Sequence, residues 1–197
     1  DPSIGKEIAK RMGLEAEIVT TAWDGIIGGL LANKYDAIVG SMSIAEERAK
    51  VVDFVGPYYT TKRAVFTKPD SEVTSVKQLG DVTVGVTLGE THEEWARNQG
   101  YTVRTYKGLP ELLLELQNGR VDVIVNDSIA AILAMKKNGY EYRMLDDLET
   151  DVIGAGIIGI SSALALQARG RQVLVLDRQA ETARASEMNA GAFAFTD

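Results

Sequence analysis

Short apolar runs, each followed by a turn of small residues and then a helical stripe, recur along this chain and restrict it to an α/β fold. The strand-like runs are Ala37-Ile38-Val39, residues 63–67, 83–86 and 102–105, and the continuous Val121-Asp122-Val123-Ile124-Val125. Residues 15–20 and 140–145 read as two more. Helical patterns fill the spaces between them. Residues 2–12 carry Ile4, Ile8, Ala9 and Met12 on one stripe and stop at Gly13; residues 23–31 turn Ile26, Ile27, Leu30 and Leu31 inward. Further helices are expected over 73–79, over 90–98 with Gly100 closing, over 110–117 with Pro110 in the first turn, and over 128–137 with Asn138-Gly139 as the stop. Around Gly56-Pro57, residues 51–54 and 58–59 read as separate extended pieces. In open parallel sheets, ligands bind outside the carboxyl ends of the strands, and Ser41, Ser43, Thr91 and Asp127 fall at such ends.

The stretch from 36 to 48 concentrates the chemistry. Its apolar run passes through Gly40-Ser41-Met42-Ser43, read as a turn with accessible N–H groups, into Ala45-Glu46-Glu47-Arg48, read as the first turn of a short helix. A strand end feeding a helix N-terminus favours anions, because the first helical N–H groups lack intrahelical partners. Arg48 adds a planar fork that matches a carboxylate in bidentate geometry. The same residues also fit a solvated Arg on a surface helix with ordinary turn serines. Three other residues carry two readings each. Asp127 suits a ligand contact or a helix N-cap. Trp23 suits a pocket wall or core packing, and Thr91 a ligand contact or a plain helix start.

Composition closes several alternatives. The chain has 197 residues, enough for one domain or two small lobes, and a net charge of −7 with no basic run, which argues against a nucleic-acid partner. It has no Cys, so thiolate and disulfide chemistry is excluded, and its one histidine, His92, rules out a multi-His metal site. His92 reads as a solvated helix residue. No segment approaches the roughly 18 apolar residues of a membrane span. The sequence shows neither an initiating Met nor a secretory leader pattern and reads as a mature or fragmentary chain.

Several motifs together resemble the polar amino-acid-binding proteins of ABC importers. They are Trp23-Asp24-Gly25-Ile26-Ile27, Tyr35-Asp36-Ala37-Ile38, Ser41-x-Ser43-Ile44 with Glu47-Arg48, Val52-Asp53-Phe54 with Tyr58-Tyr59, Gly85-Val86-Thr87-Leu88-Gly89-Glu90-Thr91, residues 116–125 and Asn126-Asp127. The resemblance covers residues 1 to 150 and implies a type II periplasmic-binding-protein fold, two α/β lobes joined by a hinge and closing on one amino acid. Lobe 1 would span 1–67, lobe 2 68–147, and 148–197 would form a hinge return and a tail packing on lobe 1. By the same resemblance, Arg48 clamps the ligand α-carboxylate with backbone donors at Ser43 and Thr91. Asp127 takes the α-ammonium together with Ser41, and Trp23 forms an apolar wall. The resemblance further implies a periplasmic monomer without cofactor that delivers its amino acid to a membrane permease. The family's first strand, which carries part of the specificity pocket, is missing ahead of Asp1.

The end of the chain departs from that pattern. Gly154-Ala155-Gly156-Ile157-Ile158-Gly159 is G-x-G-x-x-G, expected to open a helix over 157–169, followed by a strand over 172–176 that ends at Asp177. With Asn189-Ala190-Gly191-Ala192-Phe193, it resembles the N-terminus of an FAD-dependent D-amino-acid dehydrogenase. That implies a βαβ Rossmann-like fragment fused near 151–156, with Gly154, Gly156, Gly159 and Asp177 as motif residues for FAD. The tail offers half a cofactor site and no catalytic group, so the expectation is a binding protein and not an enzyme. The alternatives are a flavin oxidoreductase fragment or a chimera without function. Val152 and Ile153 are expected to pair into lobe 1, Ile157, Ile160, Ala163, Leu164 and Leu166 to cover its sheet, and residues 180–197 to be the least ordered.

Overall fold

A computed structural model describes residues 1–145, 152–158 and 191–196. Two compact units emerge. Unit 1 comprises Asp1–Thr60 with the described part of Ile153–Asp197, and unit 2 is Thr61–Val152.

Unit 1 begins with helix α1 (Pro2–Arg11), whose Pro2 sits in the first turn, where a missing N–H costs nothing. Strand β1 (Glu15–Val19) follows, then a 3-10 turn (Trp23–Gly25) running into helix α2 (Ile26–Leu31). Strand β2 (Ala37–Ser43) is buried at every position. The expected turn at Gly40-Ser41-Met42-Ser43 is therefore strand. It bends at Ser41, which has φ +56°, where the register against strand β8 (Val152–Ile158) shifts between Ile38 and Met42. Helix α3 (Glu46–Ala49) is a single turn. Strand β9 (Gly191–Thr196) lies antiparallel to both β1 and β2, giving the order β1–β9–β2–β8. Residues 191–196 thus form a strand, where the sequence promised little order. The core packs Ile26, Leu30, Tyr35, Ile38, Met42 and Val52 together.

Strand β3 (Phe54–Thr67) is continuous over 14 residues, replacing the separate pieces expected around Gly56-Pro57. Its second half opens unit 2, where Val65 pairs with Val125 of β6 (Val123–Asp127) on one side and Leu145 of β7 (Arg143–Leu145) on the other. Strand β4 (Thr83–Thr87) pairs in parallel with β6 and with β5 (Thr102–Tyr106), so the order is β7–β3–β6–β4–β5. The helix expected over 73–79 is a 3-10 turn at Val76–Gln78. Helix α4 (Thr91–Asn98) covers one face with Val65, Val84, Val86, Ala96, Val123 and Val125. Helices α5 (Leu109–Gln117) and α6 (Ser128–Asn138) cover the other, on Phe66, Leu112, Leu113, Leu116, Ile124 and Ala131. Gly139 stops α6 at φ +72°, the left-handed conformation glycine adopts without strain.

Candidate functional site

In unit 1 the residues of interest gather at the end of β2. Arg48 donates from Nη1 to the carbonyl oxygen of Ser43 at 3.1 Å, and its guanidinium carbon lies 6.0 Å from the centre of the Trp23 ring. Trp23 is half-buried at the start of the 3-10 turn and packs against the unit 1 core, so it joins the core and still meets the cation. Helix α3 has four residues, and Glu46 and Glu47 occupy its first turn. A single acidic turn adds little positive field; the affinity of this stretch for an anion therefore rests on Arg48 and not on the helix terminus expected from the sequence.

Ser41 is held differently from its neighbours. Its hydroxyl donates to Asp1 Oδ2 at 2.6 Å, its backbone N–H donates to Tyr58 Oη at 2.7 Å, and Tyr58 Oη donates to Asp1 Oδ1 at 2.8 Å. Asp1 is 3 % exposed. This buried carboxylate and phenol hold Ser41 in the left-handed region, a conformation that persists only when its surroundings over-determine it. Neither Asp1 nor Tyr58 was singled out from the sequence as a partner of Ser41.

In unit 2 the end of β6 and the start of α4 carry the polar groups. Asp127 occupies the N-cap position of α6, yet its side chain makes no capping hydrogen bond. Its Oδ1 is buried and has no hydrogen-bond partner among the described residues, as does Thr61 Oγ1. Burial pushes the Asp127 carboxyl up to about 6, against the opposing pull of the Thr61 hydroxyl and the Arg63 charge. Thr91 is the first residue of α4 and half-buried.

His92 is not the solvated residue expected from its helix. It is 3 % exposed, because α4 presents His92 and Ala96, four residues apart, to the sheet. Its Nδ1 accepts from Arg63 Nε at 3.2 Å, and its Nε2 lies 4.0 Å from Glu90 Oε2, which also meets Asn126 Nδ2 at 3.5 Å. Trp95 lies under the Arg63 guanidinium, 5.2 Å from ring centre to Cζ. Arg63 was missed from the sequence, although a cation inside the apolar run 63–67 was the available signal.

The glycine motif is only partly described. Gly154 and Gly156 lie within β8, where Gly156 faces Met42 and Ala155 faces Ser43, and Ile157 and Ile158 continue the strand where a helix was expected. Backbone groups engaged in a ladder do not form the pyrophosphate-binding turn at a helix N-terminus, so this segment does not fit a flavin loop. Val152 and Ile153 open β8, whose pairs with β2 run through Ala155, Gly156 and Ile158. Gly159, Asp177, the strand over 172–176 and the apolar stripe Ile160, Ala163, Leu164 and Leu166 lie outside the described residues. Among the described residues, no group of three or more acidic or His side chains is placed to hold a metal, and no helix is long and apolar enough to cross a membrane.

Comparison with known proteins separates the two parts of the chain. Residues 152–196 match the FAD dependent oxidoreductase family. The L-cystine-binding protein TcyJ of Escherichia coli is 36% identical over 137 residues, 67% of this chain and 51% of that protein. ABC transporter arginine-binding protein 1 of Escherichia coli is 31% identical over 140 residues, 70% of this chain and 57% of that protein. The chain spans about half the length of the curated relatives it matches. Among solved structures, holo ArgBP from T. maritima superposes with a TM-score of 0.76 at 32% identity, covering 85% of this chain and 74% of that one. An ancestral arginine-binding protein bound to arginine gives 0.73 at 28% identity, covering 86% and 82%. These relatives are binding proteins and not enzymes, and the fold is the type II periplasmic-binding-protein fold. Residues 1–139 match the profile of a single family across both units, and the chain therefore belongs to the bacterial extracellular solute-binding proteins, family 3.

Proposed function

We propose that this chain captures a polar amino acid outside the cytoplasmic membrane, in the periplasm, for delivery to the permease of an ABC importer. Arg48 takes the α-carboxylate, with backbone donors at Ser43 and Thr91. Asp127 takes the α-ammonium, with Ser41 alongside, and Trp23 forms the apolar wall. The names of the relatives, which bind cystine and arginine, support this substrate class. The observation that carries the reading is the carboxylate of Asp127. It stands at an N-cap position without capping, and one of its oxygens is buried without a partner among the described residues. A buried acceptor left unpaired costs about 1–3 kcal/mol, a cost that a bound ammonium would remove. Ser41 takes part through its backbone, since its hydroxyl already donates to Asp1.

The test is a thermal-shift screen of the full chain over the twenty amino acids and L-cystine, followed by calorimetry on any hit. A rise in Tm with one or a few polar amino acids is expected. No shift with any of them, together with flavin retained through gel filtration, would overturn the reading and favour an oxidoreductase fragment.

A further inference from the structure

Arg63 on β3 and Asp127 on β6 occupy one rung of an antiparallel ladder. Opposed residues of such a ladder project to the same face, here the α4 face that also carries Val65 and Val125. Arg63 is 6 % exposed, although Arg is almost never buried without a partner. Its Nε donates to His92 Nδ1 at 3.2 Å, and the Trp95 ring lies 5.2 Å from Cζ. An Nδ1 that accepts a hydrogen bond belongs to a neutral imidazole with its proton on Nε2, and Glu90 Oε2 stands 4.0 Å from that atom. His92 and Trp95 thus fix the guanidinium without cancelling its charge. Two carboxylates stand at this cluster, Asp127 from β6 on the rung of Arg63 and Glu90 from the N-cap of α4 beside His92; the first turn of α6 contains no acidic residue.

We propose that Arg63 is a positioning residue for ligand capture: held by His92 and Trp95, its guanidinium keeps Asp127 in the charged form that an α-ammonium requires, without itself touching the ligand. This role rests on the reading of Asp127 as the ammonium acceptor. Its physical logic is compensation. A carboxylate taken out of water favours protonation, and a fixed cation on the same rung favours ionisation. Burial pushes the Asp127 carboxyl up to about 6, and the Thr61 hydroxyl and the Arg63 charge oppose it. Removing the cation leaves Thr61 alone against burial. A larger share of Asp127 then carries a proton at neutral pH and offers an ammonium no charge. His92 belongs to the device as the anchor of the guanidinium, which also accounts for its burial.

The test follows the Asp127 carboxyl directly. The ligand-free full chain, with 13C-labelled Asp, is titrated by NMR, and Asp127→Asn identifies the resonance. The expected parent midpoint is about 6. Arg63→Met raises it by about one pH unit or more, whereas Arg63→Lys, which keeps the charge, leaves it close to the parent. If Arg63→Met does not fold, His92→Ala serves instead, and a rise in the midpoint is again expected. Calorimetry with the amino acid found in the screen gives the second reading. Arg63→Met binds about threefold or more weakly than the parent at pH 6.5 and recovers above pH 8.5, a recovery that a purely structural defect does not show. A midpoint that stays within about 0.3 units of the parent in the folded variant overturns the role of Arg63 while leaving the binding function intact. Failure of the parent to bind any amino acid overturns both.

Discussion

The guanidinium of Arg48 donates to the carbonyl oxygen of Ser43 at 3.1 Å, so the cation is fixed against the last residue of β2 before any ligand arrives. Preorganisation of this kind removes part of the entropy cost of ordering a long side chain on binding. Arg48 is also half-buried and belongs to a one-turn helix, so the fold depends on it little. Arg48→Ala should therefore lower amino-acid affinity by about 2–5 kcal/mol while leaving the circular dichroism unchanged. Calorimetry that finds the variant within about threefold of the parent, a difference under 1 kcal/mol, removes Arg48 from the carboxylate role.

The tail makes a separate prediction. Ala192 of β9 faces Val19 of β1 on one side and Ile38 of β2 on the other. A central strand has no free edge, and proline there removes a ladder donor and leaves its acceptor unpaired, at a cost of about 1–3 kcal/mol. Ala192→Pro should destabilise unit 1 selectively. The two tryptophans report the units separately, Trp23 in unit 1 and Trp95 in unit 2. With the other tryptophan replaced by Phe, the Trp23 transition in urea should move to lower denaturant and the Trp95 transition should stay. Unchanged Trp23 melting would mean that β9 contributes nothing to the sheet.

Close packing beneath α2 gives a third. A methyl group added at Gly29 would overlap the Tyr35 hydroxyl, which donates to the carbonyl of Ile26 inside the unit 1 core. Gly29→Ala should force Tyr35 out of that bond despite the better helix propensity of alanine. A loss of about 1–3 kcal/mol in urea unfolding is expected, and Tyr35→Phe should relieve only part of it in the double variant, because ring carbons of residue 35 also lie within 3 Å of the added methyl. A stabilised Gly29→Ala would show that α2 shifts to make room.

These features differ in how far the sequence showed them. The helices α1 and α5 were legible because a one-sided apolar stripe repeats at 3.6 residues, and α6 because an apolar run ends at Asn138-Gly139. Strand β3 was split in the reading because Gly56-Pro57 looks like a break; both residues are exposed, a setting in which a strand tolerates proline. The start of β6 was placed two residues early. Asp122 instead ties the turn to β4, accepting from the Thr83 N–H through Oδ2 at 2.7 Å and donating its own N–H to Thr83 O at 3.0 Å. Strand β9 left only a faint trace, Phe193 and Phe195 two residues apart, since alternation over six residues without alignment partners carries little information.

The candidate site divides along the same line. Arg48 and Asp127 could be proposed from the sequence because charged residues at strand ends follow a pattern local in sequence. Arg63 and His92 were not. Their pairing spans 29 positions and depends on β3 lying antiparallel to β6 under α4. Residue type also misled: histidine on a helix is usually wet, and only the stripe His92, Ala96 hinted that this one faces inward.

Asp127 also sets a pH dependence whose sign can be worked out. Its carboxyl is pushed up to about 6 in the folded chain against 3.8 for an ordinary aspartate. Between those values the folded chain binds a proton that the unfolded chain has lost, so the contribution of Asp127 to stability is fully present below pH 3.8 and is lost as pH rises through about 6. Above that, the ionised and buried carboxylate costs on the order of 3 kcal/mol. Asp127→Asn removes the titration. Relative to the parent, the variant should gain on the order of 3 kcal/mol in urea unfolding between pH 4 and pH 7.5, most of it before pH 7, while its affinity for amino acids collapses. Stability and capture then move in opposite directions at one residue, as expected where a strained charge is kept for a ligand. Parallel pH–stability curves for the parent and the variant would show that Asp127 titrates as an ordinary exposed carboxyl, and the case for a buried ammonium acceptor would fall with it.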